Sequence, residues 1–272
     1  MKSILVAGGN SGIGRHVAAE LARQGHRVVI LGRDQRKGNE ALASFKDAAG
    51  HASFHAVDLS THAGVRNAAQ RVLQECDHFD ALVHTTGVMT SEDLRTADGL
   101  HQVFAVNYLS RYHLTQLLMP ALRRGENGRV LMMTAHIPPT TKTSFENFPD
   151  FRPYDFLKAR KPIQLANHYY AAHLTSTEPT IRAGVINAGV VKTDLLRMQS
   201  RLMRATGTVV AALFSGSVEK SAHNVIEAAL RDDWVGALYW GKPGAFEGQT
   251  RIEVESPEIQ RLMAVSRELT GA

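Results

Sequence analysis

Short apolar runs rich in β-branched residues alternate with longer amphipathic segments from one end of the chain to the other, and that order leaves few folds open. The runs Ser3–Ala7, Arg27–Leu31, Ser53–Val57, Ala81–His84, Arg129–Met133, Arg182–Ile186 and Ala237–Trp240 read as strands. The segments Gly12–Gln24, Gln35–Ala48, Gly64–Glu75, Leu100–Arg123, Tyr154–Leu174 and Val218–Leu230 read as helices. A repeated strand-then-helix order requires parallel strands joined by right-handed crossovers, with helices on both faces of the sheet. Strands apolar along their whole length fit burial on both faces. No Pro-, Gly- or Ser-rich linker divides the chain, so one doubly wound α/β domain over residues 1–272, with a seven-stranded parallel sheet, is predicted.

Two stretches break the rhythm. Ala135–Pro153 carries Pro138, Pro139, Pro149 and Pro153 and reads as a loop. Residues 190–215 read as a lid inserted before the last helix and strand, in the place where open α/β sheets put ligand contacts. Its Leu195, Leu196, Met198, Leu202 and Met203 point to an apolar substrate, although such a stripe at helical spacing is also ordinary packing.

With 31 Lys+Arg against 26 Asp+Glu, the chain carries a formal charge of +5. The basic residues are scattered; the densest runs, Arg33–Lys37 and Lys158–Lys161, are short, and no aromatic-interleaved basic stripe is present to stack bases. No nucleic-acid partner is therefore expected. The single Cys76 excludes an internal disulfide and a multi-cysteine zinc site. The 13 histidines show no zincin spacing, and no metal is expected. The N-terminal apolar stretch is too short for a signal-peptide core, and no window approaches a membrane span. A cytoplasmic location is expected.

Ala7-Gly8-Gly9-Asn10-Ser11-Gly12-Ile13-Gly14 links the first strand to the first helix. Glycines here allow a tight turn and close approach of a pyrophosphate, which the helix N-terminus attracts with unpaired N–H groups. The position after a strand and before a helix makes this a dinucleotide-binding turn. An acid at the end of the second strand would favour NAD and an arginine NADP. Gly32 occupies the acid's place, Arg33 follows, and Asp34 reads better as a helix N-cap, so NADP is expected.

Tyr154 and Lys158 stand four residues apart, a spacing that shares one helix face. A free phenol, with a pKa of about 10, is a poor acid–base catalyst, and a nearby ammonium favours its ionised form.

With these motifs the chain resembles the short-chain dehydrogenase/reductase family over nearly its full length. Gly8, Gly12 and Gly14 fit the family's Gly-x-x-x-Gly-x-Gly turn, and Asp58-Leu59 its adenine-contacting pair. Of His84-Thr85-Thr86-Gly87 only Gly87 matches the usual Asn-Asn-Ala-Gly. Asn107 falls at the asparagine that supports a proton-relay water, and Tyr154 and Lys158 at the Tyr-x-x-x-Lys pair. Asn187-Ala188-Gly189-Val190-Val191-Lys192-Thr193 resembles the segment bordering the nicotinamide, with Ala188 in place of proline. The loop before Tyr154 looks most like the retinol-dehydrogenase-like branch, without that branch's frequent membrane anchor.

The resemblance implies a Rossmann-type domain and an NADP(H)-dependent oxidoreductase acting on an alcohol or ketone. Tyr154 would be the acid, assisted by Lys158 and Asn107. Cofactor contacts would come from Gly8, Asn10, Ser11, Gly12, Ile13, Gly14, Arg33, Asp58, Leu59 and Gly87, and from Asn107, Tyr154, Lys158, Gly189, Val191 and Thr193. A homodimer or homotetramer paired through the Leu100–Arg123 and Tyr154–Leu174 helices is expected.

One departure matters: Ala135 stands where the family's catalytic serine hydrogen-bonds the substrate carbonyl. Thr134 or His136 would replace it after a small shift, with Thr140, Thr141, Thr143 and Ser144 of the adjacent loop as further candidates, or none does. The gap keeps two alternatives open, a cofactor-binding sensor or scaffold with little redox turnover and a cyclase or isomerase.

Overall fold

In the computed structural model, which describes residues 1–46, 48–189, 216–254 and 257–272, every residue of strand β1 (Ser3–Ala7) is buried. Ile4 and Val6 enter the core on one side of the sheet, and Leu5 and Ala7 that on the other. This is the period-two alternation of a strand covered on both faces. The other strands are β2 (Arg27–Gly32), β3 (Ala52–Ala56), β4 (Ala81–His84), β5 (Arg129–Thr134), β6 (Arg182–Asn187), β7 (Ala237–Trp240) and β8 (Thr250–Arg251). They form one sheet in the order β3-β2-β1-β4-β5-β6-β7-β8, parallel except for the antiparallel edge strand β8. The chain winds outward from β1 to β3, then returns to β4 on the other side of β1. That reversal opens a crevice above the C-terminal ends of β1 and β4.

Helices α1 (Gly12–Arg23), α2 (Gln35–Ala43), α3 (His62–Glu75), α4 (Gln102–Phe104), α5 (Ser110–Arg124), α6 (Phe156–Thr177), α7 (Val218–Leu230) and α8 (Pro257–Thr270) flank the sheet. Side-chain caps set several of their starts. Asp34 accepts from Lys37 N (3.0 Å), Thr61 from Gly64 N (3.1 Å) and Ser217 from Lys220 N (3.1 Å). Val17, Ala18, Leu21 and Ala22 give α1 an apolar stripe that packs, with Val225 of α7, over one face; Val65 of α3, Leu118 of α5 and Leu165 of α6 cover the other.

β1, β4, β7 and α7 have the expected bounds, and most other ends shift by one or two residues. The segment read as one helix, Leu100–Arg123, is divided: a π-helical turn, Ala105–Leu109, lies between α4 and α5. Asn107 sits in that turn, its Oδ1 accepting from Val88 N (2.8 Å) and its Nδ2 donating to Val88 O (2.9 Å). The expected helix Gln35–Ala48 stops at Ala43. Two elements were not expected, β8 and α8. The expected lid, 190–215, lies outside the described residues, and with it Val191, Thr193 and the apolar stripe from Leu195 to Met203.

Buried imidazoles make the fold acid-sensitive. His168 on α6 is fully buried, neither ring nitrogen has a hydrogen-bond partner among the described residues, and burial depresses its pKa from 6.5 to about 3. Burial also lowers His113 to about 4 and holds His84 well below the ordinary range. Below pH 6.5 the unfolded chain takes up protons that the folded chain refuses, so stability is full above that pH and falls as pH drops toward 3. Each such group costs on the order of 1.4 kcal/mol per pH unit inside its window. His168→Phe is expected to keep the stability measured at pH 7 and to reduce the loss at pH 5 by about 2 kcal/mol, read from urea midpoints at both pH values.

Candidate active site

The turn after β1 is built by steric exclusion. Gly8 has φ +95° and Gly12 φ +54°, in the left-handed region where glycine is at ease. A Cβ on Gly8 would lie 2.6 Å from Thr85 Oγ1, and one on Gly14 2.4 Å from both Gly8 O and Thr85 Oγ1. Thr85 is itself fixed, its hydroxyl donating to Ala7 O at 2.9 Å. The backbone therefore closes tightly and leaves a cradle at the N-terminus of α1. Ser11, the N-cap, makes no side-chain capping bond, which leaves first-turn amides for an anion.

The cradle opens into a cleft of about 410 Å³ along the C-terminal edge of the sheet. Of the expected cofactor residues, Gly8, Asn10, Ser11, Gly12, Ile13 and Gly14 line its first turn. Arg33, Asp58, Leu59, Gly87, Asn107 and Gly189 line the rest. At the β2 end the side chain of Asn10 fills the space over Gly32, where a Cβ would meet its amide at 2.4 Å, and it donates to Asp34 O (3.3 Å). Asp34 caps α2, as expected. Arg33 is exposed and has no hydrogen-bond or ion-pair partner among the described residues. These residues fit a dinucleotide carrying a phosphate on its adenosine ribose.

The other end of the cleft corrects the sequence reading. Tyr154 and Lys158 do not share a helix face, because α6 begins after Tyr154. Asp155 is its N-cap, its Oδ1 accepting from Leu157 N (2.9 Å) and Lys158 N (3.1 Å). Tyr154 precedes the cap, stacks on His101 with ring centroids 3.8 Å apart, and donates its hydroxyl to Thr90 O (3.0 Å). Neither Tyr154 nor Lys158 lines the cleft. Burial, with Asp93 and Asp155 nearby, pushes the phenol up to about 12, opposite to the effect expected of an adjacent ammonium. The Lys158 side chain is 87% exposed, and its Nζ lies 4.0 Å from Asp155.

The α6 residues that do line the cleft are Phe156, Arg160 and Gln164, one phase later at the same four-residue spacing. Gln164 is buried, and its Oε1 accepts from Ala135 N (3.2 Å). Thr134 ends β5 in the cleft, 4% exposed, and its Oγ1 has no partner among the described residues. His136 points elsewhere, its Nδ1 lying 2.8 Å from Tyr239 OH. Of the two candidates for the missing serine, the structure therefore brings only Thr134 into the cleft. Arg111 of α5 also lines it and was not foreseen. An i, i+4, i+8 count from Phe156 would have found the α6 set; a buried arginine on an otherwise packed helix carries no such signal.

Among the described residues the one cluster suited to a metal is Cys76, Asp77 and His78. It follows α3, at the opposite edge of the sheet from the cleft, and the buried Cys76 Sγ donates to His78 O (2.9 Å).

The sequence profile of short chain dehydrogenase matches residues 2–203. The chain belongs to the short chain dehydrogenase family. Retinol dehydrogenase 14 from Mus musculus is 29% identical over 212 residues, covering 72% of this chain and 63% of the relative, so the chain spans under two thirds of that protein's length. Polyprenol dehydrogenase from Mus musculus is 28% identical over 281 residues, covering 98% of this chain and 83% of the relative. Among solved structures, the Pseudomonas aeruginosa RhlG/NADP active-site complex superposes with a TM-score of 0.68 at 23% identity, covering 90% of this chain and 96% of that one. An alcohol dehydrogenase from Thermococcus sibiricus complexed with 5-hydroxy-NADP gives 0.67 at 16%, covering 94% and 99%. Both share the short chain dehydrogenase fold described above. Among the described residues, no helix is long and apolar enough to cross a membrane.

Proposed function

We propose that this short chain dehydrogenase binds NADP(H) and transfers hydride between its nicotinamide and an alcohol or carbonyl group. The carrying observation is the glycine cradle at the head of α1, with Arg33, unpaired among the described residues, at the β2 end of the same cleft. The retinol and polyprenol dehydrogenase relatives support alcohol or carbonyl chemistry, and the NADP complexes support the cofactor. Bound there, the cofactor would supply or accept the hydride. The chain's part is to hold both partners and stabilise charge on the substrate oxygen. Thr134 Oγ1, buried and without another partner among the described residues, would donate to that oxygen from the end of β5. The Arg111 guanidinium would favour the negative charge that develops.

Saturable quenching of protein fluorescence by NADPH, followed by NADPH oxidation with a panel of ketones and aldehydes, tests the reading. Absence of saturable binding refutes it. Arg33→Ala is expected to raise the NADPH dissociation constant at least tenfold, a loss of about 1.4 kcal/mol, and to leave that of NADH within twofold. Thr134→Val, a near-isosteric change of a hydroxyl that has no partner among the described residues, is expected to lower kcat by about 10²-fold. Tyr154→Phe and Lys158→Ala should leave kcat within threefold; a loss of a hundredfold or more in either would return the phenol and ammonium to the reaction.

A second reading, cofactor binding with little redox turnover, is favoured by one observation: the Tyr154 hydroxyl is bonded to Thr90 O outside the cleft. Tight NADPH binding without oxidation by any carbonyl compound in the panel would support it.

A further inference from the structure

An arginine sealed in the interior without a carboxylate is costly, and Arg111 is such a group. It is 3% exposed. Its Nη1 donates to Asn167 Oδ1 (3.0 Å) and its Nη2 to Thr86 O (2.7 Å), both neutral acceptors, while Nε has no partner among the described residues. No acid pairs with it among the described residues. Burial draws its pKa down to about 9, which leaves it charged at neutral pH.

Among the described residues, the surroundings do not offset that charge. Asp34 and Asp58, the acids lining the cleft, follow β2 and β3 at the cofactor's adenosine end. At the β5 end the cleft presents a second cation, Arg160, exposed and with no hydrogen-bond or ion-pair partner among the described residues. Two further donors share that end: the Thr134 hydroxyl, unpartnered among the described residues, and Gln164, whose Oε1 is held by Ala135 N and whose amide nitrogen has no partner among them. Asn167 ties the group together. Its Nδ2 donates to Asn107 O and Gln164 O (3.2 Å each), so the residue that holds Arg111 also braces the cleft-facing turn of α6. Phe156, half-buried, supplies an apolar wall.

Among the described residues, two guanidinium groups, two open donors and no negative charge at this end make a site for an anion. We propose that the β5 end of the cleft recognises the carboxylate of an oxo- or hydroxy-acid substrate, gripped by Arg160 over the fixed positive charge of Arg111. The assignment of a substrate rests on the cleft's reading as a dinucleotide site. A planar guanidinium fork matches carboxylate and phosphate alike, so the rival occupant of Arg160 is a phosphate of the cofactor itself.

Isothermal titration of the NADPH-loaded full chain with 4-oxopentanoate and with its uncharged methyl ester separates these cases. The acid is expected to bind at least tenfold more tightly than the ester. Arg160→Met, at an exposed and unbonded position, should bring both to the ester's affinity while leaving NADPH affinity within twofold, and Lys158→Met should keep the tenfold preference. Equal binding of acid and ester by the unaltered chain overturns the proposal, as does a preference that survives Arg160→Met. A tenfold loss of NADPH affinity in Arg160→Met also overturns it, assigning the guanidinium to the cofactor. If NADPH itself fails to bind, the dinucleotide reading fails separately. The same pair titrated into the cofactor-free chain then judges the anion site: a tenfold preference lost in Arg160→Met upholds it, and its absence sinks it.

Discussion

Gly14→Val is expected to abolish measurable NADPH binding, raising the dissociation constant at least a hundredfold, and to lower the thermal midpoint by about 3–10 °C. A Cβ at this position would stand 2.4 Å from Gly8 O and 2.4 Å from Thr85 Oγ1, and 3.0 Å from Gly8 C. None of these can yield freely. Gly8 N donates to Leu31 O (2.8 Å), which pins the turn to β2, and the Thr85 hydroxyl is tied to Ala7 O. The first turn of α1 must therefore move off the sheet, carrying with it the amides that would meet a pyrophosphate. Overpacking of this kind costs about 1–3 kcal/mol in stability, at roughly 2–4 °C per kcal/mol for a domain of this class. The loss of binding follows from displaced donors and exceeds what the stability loss explains. Gly25→Ala is the control. Gly25 has φ +85°, so alanine there is strained, but its Cβ would meet nothing within 4 Å; stability should fall modestly while NADPH affinity stays within twofold. Calorimetry and fluorescence titration on the same samples give both readings. Full affinity in Gly14→Val would remove the glycine turn from the binding account.

The second large effect lies at the opposite edge of the sheet. Asp80, 4% exposed at the start of β4, accepts from Ser3 N (2.7 Å) through one carboxylate oxygen and from Glu126 N (2.7 Å) through the other. It joins β1 to the loop before β5 and lies near the fully buried Arg129. That guanidinium bonds the carbonyls of Glu126, Asn127 and Arg231 and pairs with Asp232. Asp80→Ala strands the buried N–H of Ser3, worth about 1–3 kcal/mol, frees the partly buried N–H of Glu126, and removes a charge that offsets Arg129. A loss of about 3–5 kcal/mol is expected in urea unfolding, with NADPH affinity of the folded protein unchanged because the cleft is at the other end of the strands. Asp80→Asn, which keeps one acceptor, should recover part of the loss. A loss below 1 kcal/mol for Asp80→Ala would show that water or a shifted backbone satisfies both amides.

The strands were legible because burial on both faces leaves a continuous apolar run that little else produces; Ser3–Ala7, Ala81–His84 and Ala237–Trp240 have their expected ends. The glycine turn was legible for a related reason: its residues are dictated by contact distances that no side chain tolerates. Helix α8 was not, since the face it buries includes Ser266 and Thr270 beside Leu262 and Met263, which dilutes the apolar period. The two-residue β8 is too short to leave a pattern. At the β5 end the sequence did not show the phase of α6. Tyr154 and Lys158 have the right spacing, but Asp155 caps the helix between them, and spacing alone does not say which face meets the cleft. Arg160 and Gln164 share that spacing and have the phase that the cleft requires.

Helix α8 bears on assembly. Pairing of this chain with a second copy was expected through the surface of α5 and α6, yet α8 lies against that surface. Tyr108 OH and Ser266 Oγ are 2.8 Å apart, Tyr112 OH donates to Ala272 O (3.1 Å), and Leu262 and Met263 are buried in the core that both helices help form. A second copy approaching there meets a tethered competitor whose effective concentration is on the order of millimolar. Association through that patch would therefore have to displace α8 from the core it helps to form, or build upon it.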